Sequence, residues 1–508
     1  MAFYLSSRKL DVRTGDAMIA LVNEADASEY GVSIGERVVL EVAGKRKSII
    51  VTLDTTDTLV EEGELGFFED VWEKFNIRFG EVVKVKLLSP GKAILGIRKK
   101  LLGEKLSYEE VYSIIKDIAD DKLGKILTTY YAAAGYSPGF DEEEMFYMTK
   151  AMAETGDILK FDGIVADKHS IGGVAGKGIT PLVVPIVSCL KGITVPNTST
   201  RAITSASATT DMLEVIMPMS FSKEELSSFI LKNNVFMVWG GGLDLAPADD
   251  KIIQVQKPIG IESIDKFVAS IVAKKVAQGV NHVIFDVPCG RGAKIETDEE
   301  FQRVKSTFER VCAKFSINVV VYRRNVFGID GNAVGPSLEC REFLRIYERD
   351  ERRSLQLEED ALKMAGRLIE LCKKAKKGEG YKLAKQILES GDAFVKLQQI
   401  IKLQGGNEKV TSNSLEIGGV TLEIESKKDG VIKNINNKKV FEVCRALGNP
   451  RIKEAGMYFH KKVGDEVRLG DRLVTLYATT DNRMELGKKV FEEVEIFDFE
   501  SVKEVKSK

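Results

Sequence analysis

Residues 163–190 restrict most tightly what this chain can become. A short apolar run, Gly163-Ile164-Val165-Ala166, leads into Asp167-Lys168-His169-Ser170-Ile171-Gly172-Gly173-Val174-Ala175-Gly176-Lys177-Gly178-Ile179-Thr180, and a long apolar run from Pro181 to Leu190 follows. That order predicts strand, glycine-rich turn, helix. Four glycines in seven positions, 172 to 178, let the backbone come close to a ligand because they carry no Cβ. Amide N–H groups of such a turn, next to a helix N-terminus, form a concave anion site. Lys168, Ser170, Lys177 and Thr180 add a cationic and hydroxyl lining. The pattern is neither the nucleotide-triphosphate loop nor the dinucleotide GxGxxG. On these residues alone the ligand is an oxyanion of unspecified identity, and a solvated glycine-rich connection describes the cluster equally well.

The same alternation continues from about Ile164 to Tyr322. Candidate strands Gly163–Ala166, Thr194–Val195, Val235–Trp239, His282–Val287 and Asn318–Tyr322 are separated by helical stretches, which predicts a parallel α/β sheet. Three further segments sit at or near strand exits: Thr198 to Asp211, dense in hydroxyls; Gly240-Gly241-Gly242-Leu243-Asp244; and Pro288-Cys289-Gly290-Arg291-Gly292-Ala293-Lys294. Ligands of open α/β sheets bind outside the carboxyl ends of the strands, and these segments share that position. His282 opens an apolar strand and reads as structural.

The flanks differ in character. Residues 1–86 alternate as short strands, among them Arg37-Val38-Val39-Leu40-Glu41-Val42, and predict a small β-barrel domain. Residues 87–162 predict a helical lobe with its linker, in which Ser107-Tyr108-Glu109-Glu110 caps one helix. An α/β domain that contains the glycine-rich turn is expected over 163–345. A charged helical region, read as an exposed helical pair, follows over 346–415, and a β-rich α+β module over 416–508. The fold class is therefore α/β: a helical lobe plus a parallel or mixed sheet domain, with a β-barrel before it and an α+β module after it.

Composition narrows the function classes. A net charge of −2 with both signs interspersed gives no support for a nucleic-acid or membrane partner. Six scattered cysteines form no CxxC pair, which points to buried free thiols in a reducing compartment. Three histidines are too few for a His-rich metal centre. The N-terminus has no apolar signal core, and a cytoplasmic location is expected.

Taken in order, Lys168-His169-Ser170-x-Gly-Gly-Val, Arg201-Ala202-Ile203-Thr204-Ser205, Leu245-Ala246-Pro247-Ala248-Asp249, Ala269-Ser270-Ile271…Lys274-Lys275 and Gly290-Arg291-Gly292-Ala293-Lys294 resemble the thymidine/pyrimidine-nucleoside phosphorylase family. Within it they are more similar to the archaeal-type AMP phosphorylase branch, whose members carry the extra N-terminal β-domain. The resemblance covers essentially the whole chain. It implies orthophosphate at Lys168, Ser170, Thr180 and Thr209, with His169 lining the same pocket as a catalytic residue. It implies AMP contacts at Gly173, Thr200, Arg201, Ala202, Ile203, Thr204, Ser205, Thr209, Ser270 and Lys294. The family's proton donor, an aspartate in that branch, falls on Glu262, which keeps the carboxyl group and adds a methylene. The loop from Val174 to Thr180 departs from the family pattern in its second half, and Val255-Gln256-Lys257 lacks the arginine that clamps a pyrimidine base.

The resemblance thus implies a pentosyltransferase that converts AMP and phosphate to adenine and ribose 1,5-bisphosphate; CMP and UMP share the ribose 5-phosphate handle. It needs no cofactor, since orthophosphate is a substrate, and no metal. The expected partners are small molecules and further copies of the chain, as a homodimer or larger homo-oligomer. Two other readings stand beside it. One is a phosphorylase of unphosphorylated thymidine or pyrimidine nucleosides. The other is a non-catalytic nucleotide-binding assembly protein.

Overall fold

The computed structural model describes residues 2–14, 18–42, 48–87, 91–176, 178–202, 205–256, 258 and 263–500. The chain divides into two compact units, Met1–Gly139 and Phe140–Lys508.

In the first unit six strands close into a barrel: β1 (Ala2–Leu10), β2 (Ile19–Asn23), β3 (Glu36–Val42), β4 (Ser48–Thr56), β5 (Glu64–Phe68) and β6 (Val82–Leu87), in the order β1-β5-β2-β4-β3-β6. Period-two alternation builds it. Val38, Leu40 and Val42 of β3 and Ile49, Val51 and Leu53 of β4 point inward, and closure leaves no open sheet edge. Short helices α1 (Glu24–Tyr30) and α2 (Glu69–Phe75) join the strands. Three helices follow: α3 (Lys92–Leu101), α4 (Tyr108–Ala119) and α5 (Gly124–Ala134). The expected cap on α4 is present, with Ser107 and Glu110 bonding each other's backbone N–H.

The second unit opens with α6 (Glu142–Glu154), capped the same way by Asp141 and Glu144. A sheet of five parallel strands follows: β7 (Ile164–Ser170), β8 (Ile193–Ser199), β9 (Val235–Trp239), β10 (His282–Cys289) and β11 (Asn318–Asn325). Its order is β11-β10-β7-β8-β9, so the chain runs outward from β7 on one side and then returns to β7's other side. The topological switch point lies between β7 and β10.

Helices cover both faces of this sheet. On one face lies α7 (Thr180–Ser188), buried all round, as its apolar run Pro181–Val187 demands. Around it pack α13 (Pro336–Tyr347), α14 (Leu355–Leu371), α15 (Gly380–Glu389) and α16 (Asp392–Leu403). On the other face, α11 (Ile264–Ala277) and α12 (Asp298–Lys314) pack on Val165, Val283, Phe285 and Val287. Shorter crossover helices are α8 (Thr209–Leu213), α9 (Lys223–Asn233) and α10 (Pro247–Gln256).

The expected exposed helical pair over 346–415 is overturned. Three helices, α14 to α16, stand there, and Leu357, Leu362, Met364, Leu368, Leu397 and Ile401 are buried in the same core as α7. The charge density misled because each helix exposes one charged face while its apolar stripe closes the sheet's back.

The last part of the unit is antiparallel. Strands β12 (Ala333–Val334), β15 (Gly456–Phe459), β17 (Arg472–Ala478) and β13 (Val420–Glu425) form one sheet, and β16 (Glu466–Val467), β14 (Gly430–Ile435) and β18 (Phe497–Glu500) another. α17 (Asn437–Leu447) and α18 (Asp481–Glu493) pack against them. Because β12 belongs to a segment between β11 and α13, this module is stitched into the α/β part of the unit.

Candidate active site

The strand β7 runs farther than its apolar letters predict. Pairing with β10, from His282 opposite Ala166 to Asp286 opposite Ser170, carries Lys168, His169 and Ser170 into the sheet, and the glycine turn occupies only residues 171–179. The alternation of a strand then sorts the side chains. Lys168 and Ser170 lie on the same face as Ala166, toward α7. Asp167 and His169 lie on the face of Val165, toward α11.

Lys168 is buried, and its Nζ donates to Thr180 Oγ1 at 2.9 Å while lying 3.8 Å from Asp286 Oδ2. Ser170 stands opposite Asp286 in the strand register. Burial alone raises a carboxyl pKa, but the Arg324 guanidinium and the Lys168 ammonium outweigh it and hold Asp286 below the ordinary carboxylate value. Arg324 binds Asp286 at 3.0 and 3.3 Å and Asp330 at 2.5 Å. A buried lysine must have a counter-charge, and Asp286 supplies it; the hydroxyl of Thr180, at the first turn of α7, completes the contact.

The opposite face carries a second buried network. Asp167 receives Lys275 Nζ at 2.5 Å, Asn197 Nδ2 at 2.7 Å and the N–H of Lys168 at 2.8 Å. It ties α11 and β8 to the strand that presents Lys168. His169, half-buried, stands edge-on to Phe285 with ring centroids 6.4 Å apart. Burial first, then Lys275, Lys168, Lys274 and Lys294, push its pKa well below the ordinary histidine value. His169 is therefore a neutral imidazole at pH 7.

The remaining predicted residues that the structure describes are held on the loops and helices next to β7, β8 and β10. Gly172, Gly173 and Gly176 have φ values of 85°, 93° and 83°. A Cβ on Gly173 would meet the backbone N of Lys294 at 3.0 Å, so the loops leaving β7 and β10 touch there. Lys294 Nζ lies over the Phe267 ring of α11 at 5.6 Å. One turn farther along α11, Ser270 donates to Asp249 Oδ2 at 2.7 Å, and Lys274 pairs with the same oxygen at 2.8 Å. Burial pulls Lys274 down, but Asp249 and Asp250 outweigh it and raise its pKa, keeping it charged.

On the β8 side, Thr200 is exposed and Thr209 begins α8, half-buried. Ala202 N–H is held by Asp211 at 2.7 Å, and Ser205 donates to Ser207 O at 2.9 Å. Arg201 is committed to Glu214, Nε to Oε1 at 3.2 Å and a terminal nitrogen at 2.5 Å, and it stacks 4.1 Å over the Trp239 ring. Lys177, Ile203, Thr204 and Glu262 lie outside the described residues.

Sequence reasoning passed over Asp167, Asp286, Arg324 and the role of Lys274. A signal existed for Asp286: it is the lone charge in Val283-Ile284-Phe285-Asp286-Val287, and a carboxylate inside an apolar strand must find a cation. Arg324 had no such mark. Among the described residues no group of three or more His, Cys, Asp or Glu side chains is placed to hold a metal ion. No helix among them is long and apolar enough to cross a membrane.

The arrangement sets a buried lysine and two hydroxyls at the switch point of a parallel sheet, where open α/β folds place their ligands. Family models described as "Glycosyl transferase family, helical bundle domain", "Glycosyl transferase family, a/b domain" and "Pyrimidine nucleoside phosphorylase C-terminal domain" match residues 96–156, 162–394 and 431–496. The fold is shared with an anthranilate phosphoribosyltransferase of Thermus thermophilus, at a TM-score of 0.50 and 17% identity over 61% of this chain and 99% of that one. The AMP phosphorylase of Methanocella arvoryzae is 36% identical over 96% of this chain and 95% of its own length. That of Methanosarcina barkeri is 37% identical over 95% and 94%. With helical-bundle, α/β and C-terminal domains matched and likeness sustained along almost its whole length, the chain belongs to the AMP phosphorylase family.

Proposed function

We propose that this protein is a pentosyltransferase that cleaves the N-glycosidic bond of AMP with orthophosphate, releasing adenine and ribose 1,5-bisphosphate. The observation that carries the reading is buried Lys168, aimed at Thr180 beneath the glycine turn and neutralised by Asp286. A charge fixed in a low-dielectric site costs no reorganisation when it meets an anion, so it serves both to position phosphate and to stabilise charge. Lys168, Ser170, Thr180 and the amides of the turn hold phosphate, the nucleophile; Thr209 takes part from α8. AMP lies across the crevice toward Gly173, Lys294 and Ser270, with the 200–205 segment on its other side.

Glycosidic cleavage develops an oxocarbenium-like sugar and an anionic base. Phosphate oxygen forms the new bond at C1′ as the C1′–N bond breaks, and the base takes a proton. Glu262 is the proposed donor. A neutral His169 lines the pocket as a hydrogen-bonding group, without contributing charge.

The test is to incubate the purified protein with phosphate and AMP, CMP, UMP, adenosine or thymidine in turn and to quantify the free base. Adenine release from AMP, with none from adenosine or thymidine, is the expected result. Release from the nucleosides alone would transfer the assignment to nucleoside phosphorolysis, and no release from any of them would remove the enzymatic reading.

The protein is further proposed to work in the cytoplasm as a homo-oligomer. Six free cysteines, five of them buried, support a reducing compartment. Exposed Leu95 and Leu102 on and just after α3, and Ile126 and Tyr130 one turn apart on α5, support a subunit contact through the helical lobe.

A further inference from the structure

We propose that Asn437, in the C-terminal module, is a positioning residue for the phosphate loop. The inference rests on the phosphorylase reading and assigns that reading a residue far outside the matched cradle motifs. Asn437 is the first residue of α17, and its side chain is buried. Its Oδ1 accepts the N–H of Ala175 at 2.9 Å, and its Nδ2 donates to the carbonyl of Gly328 at 2.9 Å. One side-chain amide thus grips two loops at once, the glycine turn after β7 and the segment between β11 and β12.

The grip is closed from the other direction. The N–H of Asp330 donates to the carbonyl of Ala175 at 2.8 Å, so both polar groups of that residue's backbone are held. Gly176 fits only because it lacks a side chain: a Cβ there would stand 1.9 Å from Asp330 O. The Asp330 carboxylate is bound by Arg324 at 2.5 Å, Arg324 binds Asp286, and Asp286 faces Lys168 and Ser170. A path of hydrogen bonds, completed by the Lys168–Asp286 ion pair, therefore runs from α17 to Lys168, which is proposed to hold phosphate. Ala175 and Ile329 are, moreover, buried within the apolar core of the C-terminal module itself.

Physical reasoning explains why a clamp is needed. A turn with four glycines samples many conformations, and each peptide held in one of them costs conformational entropy. If that ordering is left to phosphate, affinity falls by the same amount; a turn already ordered by Asn437 binds without it. The side chain is an amide, able to donate and accept at once, which neither an acid nor an alanine reproduces.

The experiment compares wild type with Asn437→Ala, Asn437→Asp and a control, Val443→Ala, a buried core residue farther along α17 that makes no polar contact to either loop through its side chain. Phosphate binding is measured directly by calorimetry, alongside the KM values for phosphate and AMP and thermal melts. Asn437→Ala is expected to weaken phosphate binding and raise its KM about tenfold, with the KM for AMP changed less than threefold. Asn437→Asp, which keeps an acceptor for Ala175 but sets a buried carboxylate oxygen against the Gly328 carbonyl in place of the donor, is expected to recover little of that loss. Val443→Ala is expected to lower the melting temperature with phosphate affinity unchanged. Unchanged phosphate affinity in a folded Asn437→Ala protein overturns the proposal, as does an equal loss in Val443→Ala. A wild-type protein that binds no phosphate removes the phosphorylase reading, and this inference with it.

Discussion

At the residue scale the cradle depends on a balance of buried charges. Lys168 and Arg324 both face Asp286, so one cation can be lost while the other still neutralises the carboxylate. Lys168→Met is therefore expected to fold with near-native stability and to lower kcat/KM for phosphate by about 10²–10³, the range typical of removing a preorganised charge contact. Steady-state kinetics at varied phosphate, with circular dichroism as the fold control, checks it. Glu262→Gln makes a different prediction, because a donor's proton is needed only as the base departs. Turnover is expected to drop about 10²-fold or more with phosphate binding nearly unchanged. Survival of full turnover would place the proton donor elsewhere. The residue scale also shows what one position of strand alternation decides: Lys168 and His169 are neighbours in sequence, yet they face different helices.

At the scale of elements, the connection from β11 to α13 joins the α/β sheet to the C-terminal module, and a buried acid holds it. Glu342 of α13 accepts the N–H groups of Asn332 at 2.7 and 2.9 Å and of Ala333 at 3.2 Å. Burial outweighs these bonds and pushes its pKa from 4.5 up to about 7. The sign follows by linkage: the folded state binds the proton more tightly than the unfolded chain. Its stabilising share is complete below the unfolded value of 4.5 and is lost as pH rises through about 7. Denaturant titrations at pH 5 and pH 8 are expected to show wild-type stability falling by roughly 2–3 kcal/mol from this group. In Glu342→Gln, which cannot ionise, that decline is expected to disappear. An unchanged decline would locate the titrating group elsewhere. The helices behind the sheet teach the converse lesson about charge. α14 to α16 carry many lysines and glutamates, but their apolar stripes close the core with α7, and their charged faces are only the outer layer.

At the scale of the whole molecule, the C-terminal module shares its core with the glycine turn and supplies a strand partner to β12. That places the glycine turn and the module in one core, so loss of the module is expected to remove the proposed phosphate binding as well as stability. The helical lobe of the first unit leaves Ile126 75% and Leu95 62% exposed, more than an isolated surface needs. Ile126→Glu with Tyr130→Glu is expected to shift the protein toward monomer in light scattering coupled to size exclusion, while the fold is kept. An unchanged mass would direct the search for the subunit contact to another surface.

Much of this was legible in the letters themselves. Barrel strands, capped helices and the parallel sheet follow from local periodicity and capping chemistry, which act within a few residues and leave a mark in sequence. The lysine, hydroxyls and glycines of the turn after β7 were as legible, because they stand close together along the chain. The partners that make Lys168 usable were not legible in this way. Asp286, Arg324 and Asp330 come from β10, β11 and the loop beyond, and Asn437 from more than 250 residues downstream of the turn it holds. Their pairing is set by strand order, with β10 returning to lie beside β7, and by burial, which makes each unpaired charge costly until a partner is found. Sequence by itself determined which groups can meet a phosphate. Only the tertiary structure decided which charges balance them and which distant amide holds the loop still, because those contacts depend on distances through space that no local pattern encodes.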